Sequence, residues 1–350
     1  MFRDLDMDIL RMTIQESIYL RISSIAPEGK NTADIMPFLN FLFKFYDNIA
    51  PECFSGKFKC AIYEIDYEVD SVKRKTVMEV CRDYNCDGTH AIVLIDENYC
   101  ALVPSELINP EEGNIVYEFE NGIEKIIWNG KKIDLPPRAM PSALSHFSHP
   151  TFKGLDNALI EYGRTLARCS NDGYLRTIWA DDHRTRFKGA PEHYMRDSLH
   201  IFLKSVLRGN PDITRELIVD AQRPVDIAVS WTRPIVTALI EIKWLGVSID
   251  RKTNERTAQY GKWRAHEGAK QLQDYWLLYH NDNSDTYCEG YNVVFDGRRR
   301  NQGNVEKELS SQEMWHYEND EIEYTEDLLQ YEQLRNNYRY FMEPNCLKGA

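Results

Sequence analysis

The sequence predicts two domains, an α+β N-terminal half and an α/β C-terminal half built on a mixed sheet flanked by helices. Three observations carry this expectation. The chain has 350 residues, more than one hydrophobic core usually serves. Its apolar spacing changes from helical to short β-type runs within the first half, whereas helix and strand patterns alternate in the second. A segment rich in Pro and Ser, Leu135 to Pro150, separates the two and is read as their boundary.

In order along the chain, residues 9–25 carry Ile9, Met12, Ile18 and Ile22 at helical spacing. Residues 35–50 do the same with Ile35, Leu39, Leu42 and Phe43. Four β-type runs follow at 58–65, 91–95, 114–119 and 125–128, with turn signals at Asp87-Gly88, Asn121-Gly122 and Asn129-Gly130. In the second half, Pro191 suits the first position of a helix reaching Leu207, and Gly209-Asn210-Pro211 suits its stop. Strands are expected at 216–220, 224–231 and 236–244, then a helix over 263–279 and a buried strand at 291–295. The domains expected are therefore 1–150, 151–305 and an acidic, partly helical tail over 306–350.

Composition narrows the function classes. Apolar residues make up 43% and charged residues 28%, which excludes disorder as the main state. No apolar run approaches the ~18 to 20 residues that span a bilayer, so no membrane is expected. The start of the sequence is acidic, without a basic-then-apolar leader, and points to the cytoplasm. The net charge of −13 is unevenly spread, with −9 over 1–150, +3 over 151–300 and −7 over 301–350. Only the middle attracts phosphate unaided. The eight cysteines form no C-x-x-C pair and read as reduced thiols rather than a zinc site. His146 and His149 form an H-x-x-H within the boundary segment and read as linker histidines. No Gly-rich phosphate loop is present, so nucleotide hydrolysis is not expected.

The informative stretch is Arg223 to Trp244, whose strands are apolar except for Asp226, Glu241 and Lys243. A charge inside such a strand is costly unless paired or metal-bound. Glu241 and Lys243 are two apart and share a face. A hairpin turning at Arg233-Pro234 sets Asp226 directly opposite Glu241, with Cβ atoms ~4.5 to 5.5 Å apart. Two carboxylates so placed repel unless a cation lies between them, and all-oxygen ligands suit Mg²⁺. Lys243 beside such an ion orients or deprotonates water, or stabilises phosphate charge. The bland alternative is a buried Glu241–Lys243 ion pair, which leaves Asp226 without a partner.

Asp226 followed by Glu241-Ile242-Lys243 at the end of a strand resembles the PD-(D/E)XK nuclease superfamily, the restriction-endonuclease-like fold. Gln271-Leu-Gln-Asp-Tyr275 on the next helix looks like the Q-h-x-x-Y motif of its RecB-type branch. The resemblance covers roughly 185–300 and leaves the first 150 residues, whose role is sensing, docking or regulation, unassigned. It implies that Asp226, Glu241 and the backbone carbonyl of Ile242 bind Mg²⁺, with Mn²⁺ as a substitute, and that Lys243 assists the water. Gln271 and Tyr275 would position the metal shell or the phosphate. The superfamily also places a Glu in the first helix; Glu192 is the candidate and Glu216 its rival. Where the family has Pro-Asp, this chain has Val225-Asp226, with Pro224 one place early.

The activity implied is Mg²⁺-dependent phosphodiester hydrolysis, with DNA favoured over RNA. An antiviral defence effector is one setting drawn by analogy with the superfamily. A homo-oligomer or a protein partner is expected. The rival reading is a catalytically inactive nuclease fold serving as a nucleic-acid-binding or assembly subunit. Arg251, Lys252, Arg256, Lys262, Arg264 and Lys270, interleaved with Tyr260 and Trp263, read either as a phosphate track or as a solvated loop and helix face. Arg298-Arg299-Arg300 is a second candidate track.

Overall fold

The computed structural model describes residues 2–26, 32–62, 73–96, 98–110, 115–133, 135–220, 223–282, 286–315 and 321–345. The chain is mixed α/β with two mixed sheets, divided into two units. One unit comprises Met1–Gly154 with Arg208–Asn210 and Trp231–Ile235. The other comprises Leu155–Leu207, Pro211–Ser230 and Val236–Ala350.

In the first unit, helices α1 (Phe2–Ser24) and α2 (Ile35–Tyr46) precede strands β1 (Phe58–Ile62) and β2 (Lys75–Thr76). A short helix α3 (Val77–Asp83) leads into β3 (His90–Leu94), β4 (Tyr99–Pro104), β5 (Ile115–Glu120), β6 (Ile123–Trp128) and β7 (Lys131–Ile133). The sheet order is β2-β4-β3-β1-β5-β6-β7, with β1 and β3 parallel and the other neighbouring strands antiparallel. Its core joins α1 and α2 to one sheet face through Ile18, Phe38, Leu42, Phe45, Phe58 and Tyr117. The runs expected at 58–65 and 114–119 extend onto residues outside the described ones. Sequence spacing missed α3, whose start carries a legible signal: Thr76 and Glu79 form a reciprocal capping box.

The Pro/Ser-rich stretch is not a free linker. Phe147 is buried in the first core, and His146 is held by Glu124 on one ring nitrogen and the Pro136 carbonyl on the other. His149 lies beside Asp47 and Arg11. Both histidines are therefore packed side chains of the first unit, which corrects the linker reading.

The second unit begins with α4 (Phe152–Tyr162) and runs through β8 (Phe187–Lys188), α5 (Glu192–Val206), β9 (Asp212–Asp220), β10 (Arg223–Thr232), β11 (Ile235–Ile249), β12 (Arg256–Tyr260), α6 (Trp263–Asp282) and β13 (Tyr287–Asp296). It ends with short helices α7 (Ser311–Trp315) and α8 (Glu326–Leu329) and strand β14 (Leu334–Phe341). The main path is β14-β13-β11-β10-β9; β12 and β8 pair with the far end of β11. Strand β11 lies centrally and is buried from Val236 to Ile249, which explains its nearly continuous apolar run. Helix α6 covers one sheet face, with Leu272, Tyr275 and Trp276 against Val225, Leu239 and Cys288. Ala265 on the same helix packs on Leu245 and Val294.

The tail holds the short helices α7 and α8 and, beyond them, a strand that was not expected. Leu334–Phe341 is a strand running parallel to β13, with Leu334, Tyr338 and Tyr340 buried. The acidic residues upstream hid this alternation. Residues 316–320 and Cys346 lie outside the described ones.

Candidate active site

Strand β10 ends at Thr232 and β11 begins at Ile235, so Arg233-Pro234 forms the turn. Ser230 Oγ and Thr237 Oγ1 meet at 3.3 Å across the hairpin, the pair that this turn requires. The same register brings Asp226 opposite Glu241. Asp226 Oδ2 accepts the Ile242 N–H at 2.8 Å. Glu241 and Lys243 follow Leu239 on the face covered by α6, and the Lys243 ammonium donates to Glu241 Oε1. All three side chains are buried. Among the described residues, Glu241 Oε2 has no hydrogen-bond partner.

The first turn of α5 supplies Glu192 because Pro191 starts the helix there. Arg264 lies 3.6 Å from its carboxylate. One helical turn on, Arg196 reaches Glu216 at 2.8 Å and Asp226 at 3.4 Å. In the β9–β10 ladder, Leu217 and Arg215 pair with Val225 and Ile227, which sets Glu216 beside Asp226. Arg196 neutralises both. The charge of Glu192, in contrast, acts on Asp226, Glu241 and Lys243 together. Between the two rival glutamates, Glu192 is thus the one coupled to the whole constellation.

The site carries surplus negative charge. Burial and the neighbouring Asp226 push the Glu241 carboxyl up to about 8. Burial also raises Asp226, against the opposing Ile242 hydrogen bond. For Lys243, burial acts to lower the pKa, but Glu241 and Glu192 outweigh it and hold it above the ordinary lysine value. At neutral pH Lys243 is therefore a cationic donor and not a base.

Gln271 and Tyr275 do share a face of α6. The Gln271 amide donates to the Tyr275 hydroxyl at 2.7 Å, and that hydroxyl reaches the Pro224 carbonyl at 3.4 Å, two residues before Asp226. They brace the start of β10 at Pro224. Two further residues border the site that sequence spacing missed. Asn292 on β13 pairs with Glu241 in register, and Gly268 on α6 lies directly over Lys243. An asparagine within the apolar run Tyr291 to Phe295 was the legible signal for the first.

Among the described residues, no three His, Cys, Asp or Glu side chains form a ready-made metal cage. The oxygen donors present, Asp226 and Glu241 with the Ile242 carbonyl that the resemblance implies, nevertheless fit a hard divalent cation. The buried, unpartnered Glu241 Oε2 and the raised carboxyl are what such an ion would relieve.

The two candidate phosphate tracks separate. Arg298 is tied to Asp296 by two hydrogen bonds, and Arg299 donates to the carbonyls of Arg298 and Met342. Both are buried structural residues, which removes Arg298 and Arg299 from the second track and leaves Arg300 exposed. Arg251 and Lys252 in the turn before β12, Arg256 on β12, Lys262 just before α6, and Trp263 and Lys270 on α6 are exposed, and Arg264 is half-buried. Comparison with protein-family models, with curated proteins and with solved structures gave no match for this chain.

Proposed function

We propose that the second unit is a metal-dependent nuclease of the PD-(D/E)XK type, hydrolysing phosphodiester bonds, with DNA as the favoured substrate. The observation that carries this reading is the surplus of buried carboxylate around one lysine. The charges of Glu241, Glu192 and Asp226 all act on Lys243, and among the described residues Glu241 Oε2 is buried without a hydrogen-bond partner. A purely structural core gains nothing from that arrangement. Asp226, Glu241 and the Ile242 carbonyl would hold Mg²⁺ or Mn²⁺. Such a cation, when bound, supplies Lewis-acid activation of water and phosphate.

The chain's own groups do the rest. Arg196 holds Asp226 Oδ1 and limits its repulsion with Glu241. Lys243, protonated at neutral pH, donates to a phosphate oxygen or to the attacking water. Gln271 and Tyr275 fix the entry of β10 into the sheet. Trp263 and the exposed lysines beside it offer stacking and charge to the polymer.

The Glu241–Lys243 contact also supports a second reading, a buried ion pair in an inactive nucleic-acid-binding or assembly subunit. The two separate in one experiment. Labelled duplex DNA, single-stranded DNA and RNA are incubated with the chain in Mg²⁺, Mn²⁺ or EDTA. Cleavage in either metal that disappears in EDTA and in Asp226→Asn supports the nuclease; cleavage that persists in excess EDTA contradicts it. Binding without cleavage in any metal favours the inactive subunit.

A further inference from the structure

A cation that takes Glu241 must share that carboxylate with the Lys243 ammonium or displace it. Sharing is unfavourable, because two cations on one buried carboxylate repel. Displacement needs a new acceptor, since a buried ammonium without one is costly. Lys243 is itself buried beneath α6, so its head group cannot simply move into water.

An acceptor is in place. Asn292 is fully buried on β13, and its Nδ2 donates to the Ala265 carbonyl at 3.1 Å and the Tyr324 hydroxyl at 3.2 Å. Its Oδ1 has no hydrogen-bond partner among the described residues. The amide cannot profitably be turned over, because that would set Oδ1 against the Ala265 carbonyl, acceptor on acceptor. Gly268 shows how close this oxygen lies to the lysine. A Cβ built on Gly268 would stand 2.6 Å from Lys243 Cγ, 3.4 Å from Lys243 Cε and 2.9 Å from Asn292 Oδ1. The lysine stem and the amide oxygen therefore flank one point, and only the missing side chain of Gly268 keeps the space between them open.

We propose that Lys243 is handed over from Glu241 Oε1 to Asn292 Oδ1 when a divalent cation occupies Glu241, with Gly268 providing the clearance for the swing. Asn292 is then a positioning residue acting through Lys243. It keeps the ammonium inside the site, a short reach from the metal carboxylates, when Glu241 is no longer its partner. The hand-over also makes the site self-masking. In the absence of a cation the ammonium occupies Glu241 Oε1, and loading the site frees that oxygen while the ammonium moves to Asn292 Oδ1. This inference rests on the metal-binding reading of Asp226 and Glu241.

The test is Mn²⁺ affinity by titration calorimetry on the full chain, in a double-mutant cycle of Asn292→Leu and Lys243→Met. With Lys243 present, Asn292→Leu should weaken Mn²⁺ binding by roughly tenfold or more, the scale of a lost hydrogen bond to a charged group. In the Lys243→Met background, where no ammonium needs a home, the same substitution should change affinity by less than about twofold. Lys243→Met alone should bind Mn²⁺ at least as tightly as the parent chain. Equal weakening in both backgrounds overturns the hand-over and leaves Asn292 a structural residue, with the metal site intact. Failure of the folded parent chain to bind Mn²⁺ overturns the metal reading itself and the hand-over with it.

Discussion

Replacing Glu241 by Gln removes the surplus charge while keeping the size of the side chain, and the site's electrostatics predict that this stabilises the fold at neutral pH. The carboxyl is raised from 4.5 in the unfolded chain to about 8 in the folded one. Its folded value lies above its unfolded value. The stability it contributes is therefore fully present below pH 4.5 and is lost as pH rises towards 8. At pH 7 the accumulated penalty is about 3 kcal/mol, and at pH 5 it is under about 1 kcal/mol. Lys243 does not titrate in this window, because its pKa is raised above the ordinary lysine value. Glu241→Gln should thus gain about 3 kcal/mol at pH 7 and much less at pH 5. Equilibrium urea unfolding of both proteins at pH 5, 6, 7 and 8 measures the difference. A variant less stable than the parent at pH 7, or a difference that does not change with pH, would refute the reasoning. The Glu241–Lys243 pair would then be a net structural contributor.

Lys243→Ala should lower cleavage by at least ~100-fold while circular dichroism and nucleic-acid affinity stay near the parent's, because Glu241, already raised to about 8, is held as the neutral acid still more readily without the ammonium; an unfolded variant would instead favour the structural pair. Ca²⁺ should support nucleic-acid binding with little cleavage, since it tolerates looser geometry and activates water less well than Mg²⁺, and comparable cleavage rates in the two ions would count against the site chemistry. In the first unit, His146 donates from both ring nitrogens and its pKa is raised, burial opposing and Glu124 prevailing. Its stability contribution is present below pH 6.5 and lost as pH rises through the folded value, so His146→Ala should cost about 3 kcal/mol near pH 6 and less at pH 9 in urea unfolding. Residues 1–150 carry −9, so a folded 155–350 fragment should bind DNA more tightly than the full chain at low salt in a gel-shift series, and equal binding at every salt would remove the electrostatic restraint.

Much of the second unit was legible because its signals are local. The apolar β11 run, the two-residue turn at Arg233-Pro234 and the spacing of Leu272, Tyr275 and Trp276 each follow from period and turn chemistry. Those signals suffice to bring Asp226 and Glu241 together. What they could not reveal is which acidic residue joins from elsewhere, since Glu192 and Glu216 reach the site through α5 and β9 by tertiary packing. Arg196, which separates their roles, looks in the sequence like any helix-surface arginine. Strand β14 was hidden by the acidic residues before it, and the 135–150 stretch by its Pro and Ser content. Phe147 and His146 become core residues only because Glu124 and the first sheet receive them. Arg298 and Arg299 show the converse error: a basic run is read as exposed until Asp296 and a set of carbonyls are found to enclose it.

The measurement that bears most directly on the central claim is a crystal structure of the chain grown or soaked in Mn²⁺, with anomalous data collected to locate the ion. The account predicts one anomalous peak held by the Asp226 and Glu241 carboxylates and the Ile242 carbonyl, with the Lys243 ammonium displaced from Glu241. No peak at saturating Mn²⁺, with Lys243 still bonded to Glu241, would contradict it.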